Sequence, residues 1–326
     1  MKAITLKDFG DADMLQYSEV EKPSPTDDQI LIQVKATSVN RPDIVQRQGN
    51  YSAPPGDSEI LGLEVAGIVE SVGVNTSVYK KGDRVFALVG GGGYAEYTVA
   101  LESHCMPIPD SLSFEQAACI CETYITAYLN LFMLGELQGK QSVLIHGGGG
   151  GVATAAIQLC KALSPETDIF VTASASKIDR IKKQGSNHVF DYRNQKFADE
   201  IKRITEKRGV DVILDHIGAK YLEPNLKSLA IYGRLLLIGV MGGIKAEVNL
   251  AMLMVKRQQI IGSVLRSRPI AEKTDIIRQF ENTVMPLFST GVIEPLIEAS
   301  YPLSEVSKAH RLMEQGGHFG KILLLP

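Results

Sequence analysis

The hydrophobic pattern changes character along the chain. Up to about Met106 it consists of short apolar runs broken by turn residues: residues 29–34 alternate, 64–69 follow, and 83–89 come after Gly82. These runs predict an antiparallel, barrel-like half, with Pro23-Ser24-Pro25 and Pro54-Pro55-Gly56 in loops. Gly90 to Gly93 have no helix behind them, which predicts a hairpin or bend before residues 94–99. Helical spacing begins near Phe114 and continues through Leu131. Beyond it, strands are predicted at 142–146, 169–173, 188–192, 211–216, 234–238 and 260–265, with helices starting near Val152, Ser176, Phe197, Tyr221 and Asn249. Strands alternating with helices in this way predict a doubly wound parallel sheet, an α/β fold. A helix from Ile270 to about Leu287, a strand at 296–301, a helix at 304–315 and a strand at 321–325 are expected to return to the first half.

The first strand of that series opens into five glycines, Gly147 to Gly151, and then into the helix at Val152. Gly148, Gly150 and Ala153 read GxGxxA: the first position makes a tight turn, the second admits a pyrophosphate against bare backbone, and the third packs helix on strand. The helix N-terminus favours an anion there. Five consecutive glycines also satisfy such a pattern as a plain flexible turn, and it is the downstream alternation that favours a dinucleotide site.

Composition narrows the field. The 326 residues are enough for about two domains. With 34 basic and 37 acidic side chains the net charge is −3, and no dense basic stretch suggests a nucleic-acid face. The start of the chain lacks a signal-peptide core, and no apolar run reaches the roughly 18 residues of a membrane span, so a cytoplasmic location is expected. Cys105, Cys119, Cys121 and Cys160 read as reduced, buried thiols, and the six histidines show no metal spacing. His146, ending the first strand, reads as a core residue or one lying behind the site.

These motifs together resemble the zinc-free quinone oxidoreductases of the medium-chain dehydrogenase/reductase superfamily, closest to the p53-inducible type ahead of the zeta-crystallin type. The resemblance covers essentially the whole length. It rests on Asn40-Arg41-Pro42-Asp43 with Gln46 to Tyr51, Gly62 to Gly67, Lys81 to Val85, Thr126-Ala127-Tyr128 and the glycine loop, and on the later Leu214 to Gly218, Gly239 to Gly243, Leu265 to Arg268 and Gly320-Lys321-Ile322. Two departures, Ala153 for the third glycine and Lys140-Gln141 before the first strand, touch no expected chemistry. The position where zinc relatives carry a His is Leu63, Arg41 and Asp43 make a poor first ligand, and there is no four-cysteine lobe, so no metal site is expected. The resemblance implies a GroES-like, mainly antiparallel catalytic domain over 1–121 and 267–326, and a Rossmann NADPH-binding domain over 122–266. It also implies a homodimer, for which residues 260–265 supply an apolar sheet edge.

The second strand of the sheet ends Ala173-Ser174-Ala175-Ser176-Lys177 with no carboxylate at its tip, where an NAD site usually holds the ribose. Ser174, Ser176 and Lys177 suit a 2′-phosphate, and serve equally as the start of the next helix. NADPH is the expected cofactor. The residues expected to bind it are His146, Gly148, Gly150, Gly151 and Val152 along the loop, Ser174 and Lys177 at the strand tip, and, by resemblance, Asn40, Thr126, Tyr192, Gly239, Met241, Gly242, Leu265, Ser267 and Lys321. By resemblance Asn40 and Tyr51 stand at the reaction, Tyr51 as hydrogen-bond or proton donor to a developing oxyanion. Tyr51 also reads as a loop residue packed on Pro54 and Pro55. Asp43 and Arg47 read as structural partners of that loop. The implied reaction is hydride transfer to a quinone. The alternatives are a 2-alkenal or enoyl reductase that needs Tyr51 as acid, and a non-enzymatic, zeta-crystallin-like binding or structural protein.

Overall fold

The computed structural model describes all 326 residues. The chain forms two compact units, one of Met1–Ile125 with Arg266–Pro326 and one of Thr126–Leu265. Glu122 and Arg266, assigned from the sequence to the nucleotide half, therefore pack in the first unit.

In the first unit β1 (Lys2–Leu6) and β2 (Leu15–Glu19) form a hairpin. The central strand, β3 (Gln29–Val39), pairs with β4 (Glu64–Val72) and, over its first five residues, with β6 (Tyr97–Leu101). The sheet continues through β5 (Arg84–Leu88) to β7 (Cys105–Pro107). The predicted strand at 29–34 is five residues short of β3, whose alternation is lost where Thr37 and Ser38 are buried. Their hydroxyls bond the Glu64 main chain and side chain at 2.6 and 2.5 Å, a satisfaction no hydropathy pattern displays. Helix α1 (Arg41–Arg47) follows at once, with the Asp43 carboxylate accepting the Asn40 N–H at 2.7 Å and Pro42 in its first turn. Gly90 to Gly93 form a bend that runs hard against 58–62: a Cβ on Gly91 or Gly93 would stand 2.1 or 2.9 Å from backbone there.

The single helix predicted over 114–131 is broken into α2 (Phe114–Ala117) and α3 (Cys121–Tyr128), followed by a π-helical segment at Leu129–Leu134. The break has a tertiary cause: the Glu122 N–H at the start of α3 goes to the Glu64 carboxylate at 2.9 Å.

The second unit is built on β8 (Ser142–Ile145), α4 (Gly151–Leu163), β9 (Asp168–Ala173), α5 (Ile178–Lys183), β10 (His188–Asp191), α6 (Phe197–Ile204), β11 (Val210–Asp215), α7 (Ala219–Ser228), β12 (Leu229–Leu237), α8 (Leu250–Lys256) and β13 (Gln259–Gly262). All pairings are parallel, in the order β10-β9-β8-β11-β12-β13. That is the doubly wound dinucleotide order, with the strand direction of travel reversing beside β8. β12 begins five residues before the predicted strand because Tyr232, at φ +63°, bulges the chain and lets pairing resume at Arg234. β13 stops at Gly262, three residues short of the predicted end, as the chain turns through Leu265 to Arg268.

The chain then re-enters the first unit with α9 (Ile270–Ser289), β14 (Ile297–Pro302), α10 (Val306–Gln315) and β15 (Lys321–Leu325). β15 pairs antiparallel with β3 and parallel with β14, the one parallel pair in an otherwise antiparallel sheet. The apolar face of α10, with Val306, Ala309 and Met313, closes a core over Val39, Ile44, Leu61 and Ile322.

Candidate functional site

In the second unit the glycine loop lies between β8 and α4. Its tight turn is at Gly147, φ +65°, and not at Gly148 as the motif predicts. Gly148 is required by packing instead, since a Cβ there would stand 2.3 Å from Val171 and 2.7 Å from Ile181. Gly150 is the N-cap of α4, with no side chain capping the helix, and a Cβ on it would meet only the Gly147 carbonyl, at 3.4 Å. Uncapped N–H groups at the start of a thirteen-residue helix are what a pyrophosphate needs, and Gly151 and Val152 belong to that first turn. Ala153 is buried, as its packing role demands.

The tip of β9 stands beside this loop. Ser174 caps a short turn, Ala175–Lys177, with its hydroxyl 3.4 Å from that of Ser176. The Lys177 side chain folds back over the loop, so that a Cβ on Gly149 would meet its Cδ at 2.4 Å and its Nζ at 2.9 Å. Tyr192, just past β10, pairs its N–H with Ala173 at 3.1 Å and leaves its ring exposed. Arg193, which the sequence reading passed over, carries its guanidinium 5.7 Å from the centre of that ring. A basic residue directly after a strand end was the available signal.

His146 is buried with both ring nitrogens committed: Nδ1 to the Thr172 hydroxyl and Nε2 to the Asn225 carbonyl, each at 2.8 Å. Asn225 in turn donates to Asp215 at 3.0 Å, which fixes Nε2 as the protonated nitrogen. Burial lowers the His146 pKa to about 3. The side chain is thus a core strut between β8, β9 and α7, not an arm for a cofactor, which corrects its place among the expected binding residues. Asp215, whose carboxyl burial raises to about 6, also accepts the N–H groups of Ile217 and Gly218. The segment after β12 docks on the same turn: Met241 and Gly242 donate to the carbonyls of His216 and Ile217, and a Cβ on Gly239 or Gly242 would crowd His216 or Ile217. Met241 is left exposed. Thr126 begins this unit on α3, its carbonyl accepting from Asn130 at 2.8 Å, and Leu265 ends it, buried.

The first unit contains a buried polar cluster that the sequence named only in pieces. Lys321, predicted to lie near the cofactor, is enclosed and pairs with Glu64 at 2.9 Å, while also donating to the Asn40 side-chain oxygen. Asn40 returns its amide N–H to the same Glu64 oxygen at 2.9 Å. Ser38, Asn40 and Lys321 thus converge on one oxygen of Glu64, and the Glu122 N–H takes the other. Behind it runs a second chain. Arg47 can only donate to His310 Nδ1, at 3.2 Å, so Nε2 carries the proton toward Tyr94, and Tyr94 donates to Asp43 at 3.0 Å. Burial drives His310 down to about 3 and Asp43 up to about 6. Arg47 also forms a bidentate pair with Glu314, closing the chain at the surface. Asp43 and Arg47 therefore tie α1, and with it the loop to Tyr51, onto α10.

Tyr51 is half-buried, and its hydroxyl makes no hydrogen bond within the protein. Burial, and then the Glu122 carboxyl, raise its pKa, while Arg266 opposes them. The Arg266 guanidinium lies 5.1 Å from the centre of the Tyr51 ring. Glu122 is pushed up to about 8 by burial and by the neighbouring Glu64. Tyr51 also lines a cavity of about 350 Å³ with Thr5, Phe9, Gln46 and Glu59. A larger cavity in the same unit, about 670 Å³ beside Tyr79, Glu102 and Glu281, contains none of these residues. Ser267 lies exposed on the turn beside Arg266.

Comparisons with known proteins agree with both halves. The family described as alcohol dehydrogenase GroES-like domain matches residues 26–110, and the one described as zinc-binding dehydrogenase matches 184–324. Quinone oxidoreductase from Rattus norvegicus is 35% identical over 100% of the chain and 98% of its own length. The structure of Escherichia coli quinone oxidoreductase complexed with NADPH superposes with a TM-score of 0.91, at 29% identity and complete coverage of both chains. The enoyl reductase CurK superposes at 0.89, with 26% identity over 99% of this chain and 98% of that one. With Leu63 at the middle zinc-ligand position, and with similarity of this extent to quinone oxidoreductases, the chain belongs to the zinc-free quinone oxidoreductase family of medium-chain dehydrogenases/reductases.

Proposed function

We propose that the protein is an NADPH-dependent quinone reductase that works without a metal. The observation that carries this is the pairing of an uncapped glycine-loop helix with a β9 tip that offers Ser174, Ser176 and Lys177 and no carboxylate. The N–H groups at Gly151 and Val152 suit the pyrophosphate, the Gly150 N–H being held by the Gly147 carbonyl at 2.8 Å, and the Lys177 ammonium, with Ser174 and Tyr192, suits a 2′-phosphate. NADPH, when bound, supplies a hydride from its nicotinamide. The Lys321–Glu64 pair fixes the Asn40 amide in one orientation, because Oδ1 must accept from Lys321 and Nδ2 must donate to Glu64. Tyr51 offers its free hydroxyl to an oxygen that gains charge. A quinone spreads that charge over its ring and both oxygens, so a single hydrogen bond suffices and no strong acid is needed. A dependence of kcat on deuterium at the transferred position of NADPH, with 1,2-naphthoquinone as acceptor, tests the reading. Absence of any quinone-dependent NADPH oxidation contradicts it.

The free Tyr51 hydroxyl favours one second reading, an enal or enoyl reductase in which it delivers a proton to carbon. The homodimer belongs to the proposal as well. β13 is an edge strand with Ile260 partly exposed, flanked by exposed Ile231, Tyr232 and Val264, a surface that a two-fold-related copy would cover. Light scattering at micromolar protein should give twice the 35.5 kDa chain mass, and a monomer mass would remove this part.

A further inference from the structure

Arg266 is 5% exposed, and its charge has no acid against it. Nε donates to the Gly90 carbonyl at 2.7 Å, but Nη1 and Nη2 are both enclosed and have no acceptor. The other enclosed cations near α1 are treated differently: Arg47 meets Glu314 and Lys321 meets Glu64. Lys273, also buried, donates to the Arg266 carbonyl at 3.3 Å and adds positive charge to the same place. Glu122 is close enough to be felt electrostatically, yet makes no ion pair with the guanidinium. An enclosed guanidinium with two idle nitrogens is costly, and a fold retains one where an oxygen from elsewhere completes it. The group lies over the Tyr51 ring, whose hydroxyl is equally without a partner.

We propose that Arg266 is a catalytic residue that receives the acceptor's oxygen: Nη1–H and Nη2–H bind the carbonyl oxygen of a quinone, with the Tyr51 hydroxyl as companion donor. The inference rests on the quinone reductase reading. Hydride addition brings an electron pair onto the quinone, the pair settles as the hydroquinone monoanion on the oxygen held by Arg266, and a proton from water completes the hydroquinone. The cation does most for the charge that appears only as the reaction proceeds, so its loss lowers kcat more than it raises the KM for quinone.

The test uses Arg266→Met and Arg266→Lys in the full chain with NADPH and 1,2-naphthoquinone, alongside binding of 1-hydroxy-2-naphthoate, a stable anion resembling the product, followed by fluorescence. Arg266→Met should lower kcat and weaken the anion by on the order of tenfold to a hundredfold, as expected for a hydrogen bond to a charged group. Arg266→Lys should restore part of both. Removing a cation with so few partners should leave the thermal midpoint unchanged or higher, whereas a structural role requires it to fall. Unchanged kcat and unchanged anion binding in Arg266→Met overturn the assignment, as does a lowered midpoint with kcat intact. Should Arg266→Met not fold, a structural role stands and the assignment is overturned. A wild-type protein that ignores quinone defeats the reductase reading instead, and the anion-binding arm still reports on Arg266.

Discussion

Lys321→Met removes the ammonium that faces Glu64 in a place where both side chains are enclosed, 5% and 1% exposed. Breaking a buried pair from one side costs about 3–5 kcal/mol, because the remaining charge stays in a poor medium for it. Glu64 would still hold the Ser38 hydroxyl at 2.5 Å, the Asn40 amide at 2.9 Å and the Glu122 N–H at 2.9 Å, which places the expected cost at the low end, about 3 kcal/mol. At ~2–4 °C per kcal/mol for a unit of this size, the midpoint should fall by about 6–12 °C. Glu64→Gln in the same chain takes away the stranded charge, so the double variant should recover about half of the loss, and because Glu64→Gln alone strands the Lys321 ammonium in turn, the pair should show a coupling above about 2 kcal/mol. Calorimetry on the four proteins of the cycle measures this. A loss below about 1 kcal/mol for Lys321→Met, or strictly additive effects, would refute the claim that the two form one buried unit around Asn40.

Tyr51→Phe should lower kcat with quinone by about tenfold, the loss of one hydrogen bond worth about 1.4 kcal/mol, with NADPH affinity intact; a fall beyond about a thousandfold would make Tyr51 an obligatory acid. Lys177→Ala should reduce kcat/KM for NADPH by about tenfold to a hundredfold and leave NADH nearly untouched, since a charge-assisted bond to the 2′-phosphate is what separates the two. Equal loss with both cofactors would place Lys177 in the loop's structure alone. Glu122, raised from 4.5 to about 8, holds in the folded state a proton that the unfolded chain releases. Its contribution to stability is therefore greatest at low pH and declines as pH rises from about 4.5 to about 8, with a slope of at most about 1.4 kcal/mol per pH unit. His146 and His310 at about 3 and His104 at about 4 are neutral in the folded state but ordinary, near 6.5, in the unfolded chain, so they add a slope of opposite sign that has nearly faded by about pH 7.5, as has that of Asp43 and Asp215 at about 6. Between about pH 7.5 and 8, then, Glu122→Gln should flatten the stability profile measured by urea unfolding, and a slope unaltered from that of the wild type would show that another group sets it.

The sheet of the second unit was legible because parallel strands buried on both faces are continuous apolar runs, and because glycine loops carry a pattern of their own. What the pattern mistook was which glycine does what: five in a row fit the fingerprint in more than one register, and only the crowding of Gly148 by Val171 and the positive φ of Gly147 assign the roles. His146, ending the first strand, read as a core residue and was still counted among the binding residues, because its partners, Thr172 and Asn225, are 26 and 79 residues away. Lys321 was noticed by its motif, but its partner carboxylate, 257 residues distant, was not legible. Arg266 stood within the Leu265 to Arg268 motif but without a role of its own, since what marks it is the absence of a partner, and that becomes visible only when the surrounding chain is folded.

The most direct test of the central claim is a side-by-side panel with the wild-type protein: NADPH oxidation with 1,2-naphthoquinone and 9,10-phenanthrenequinone against a 2-alkenal and an enoyl thioester, each repeated with NADH. The account predicts steady turnover of the quinones with NADPH, at a kcat/KM well above that for NADH and for either alkene. Rapid reduction of the enal or enoyl thioester with little or no turnover of either quinone would contradict it.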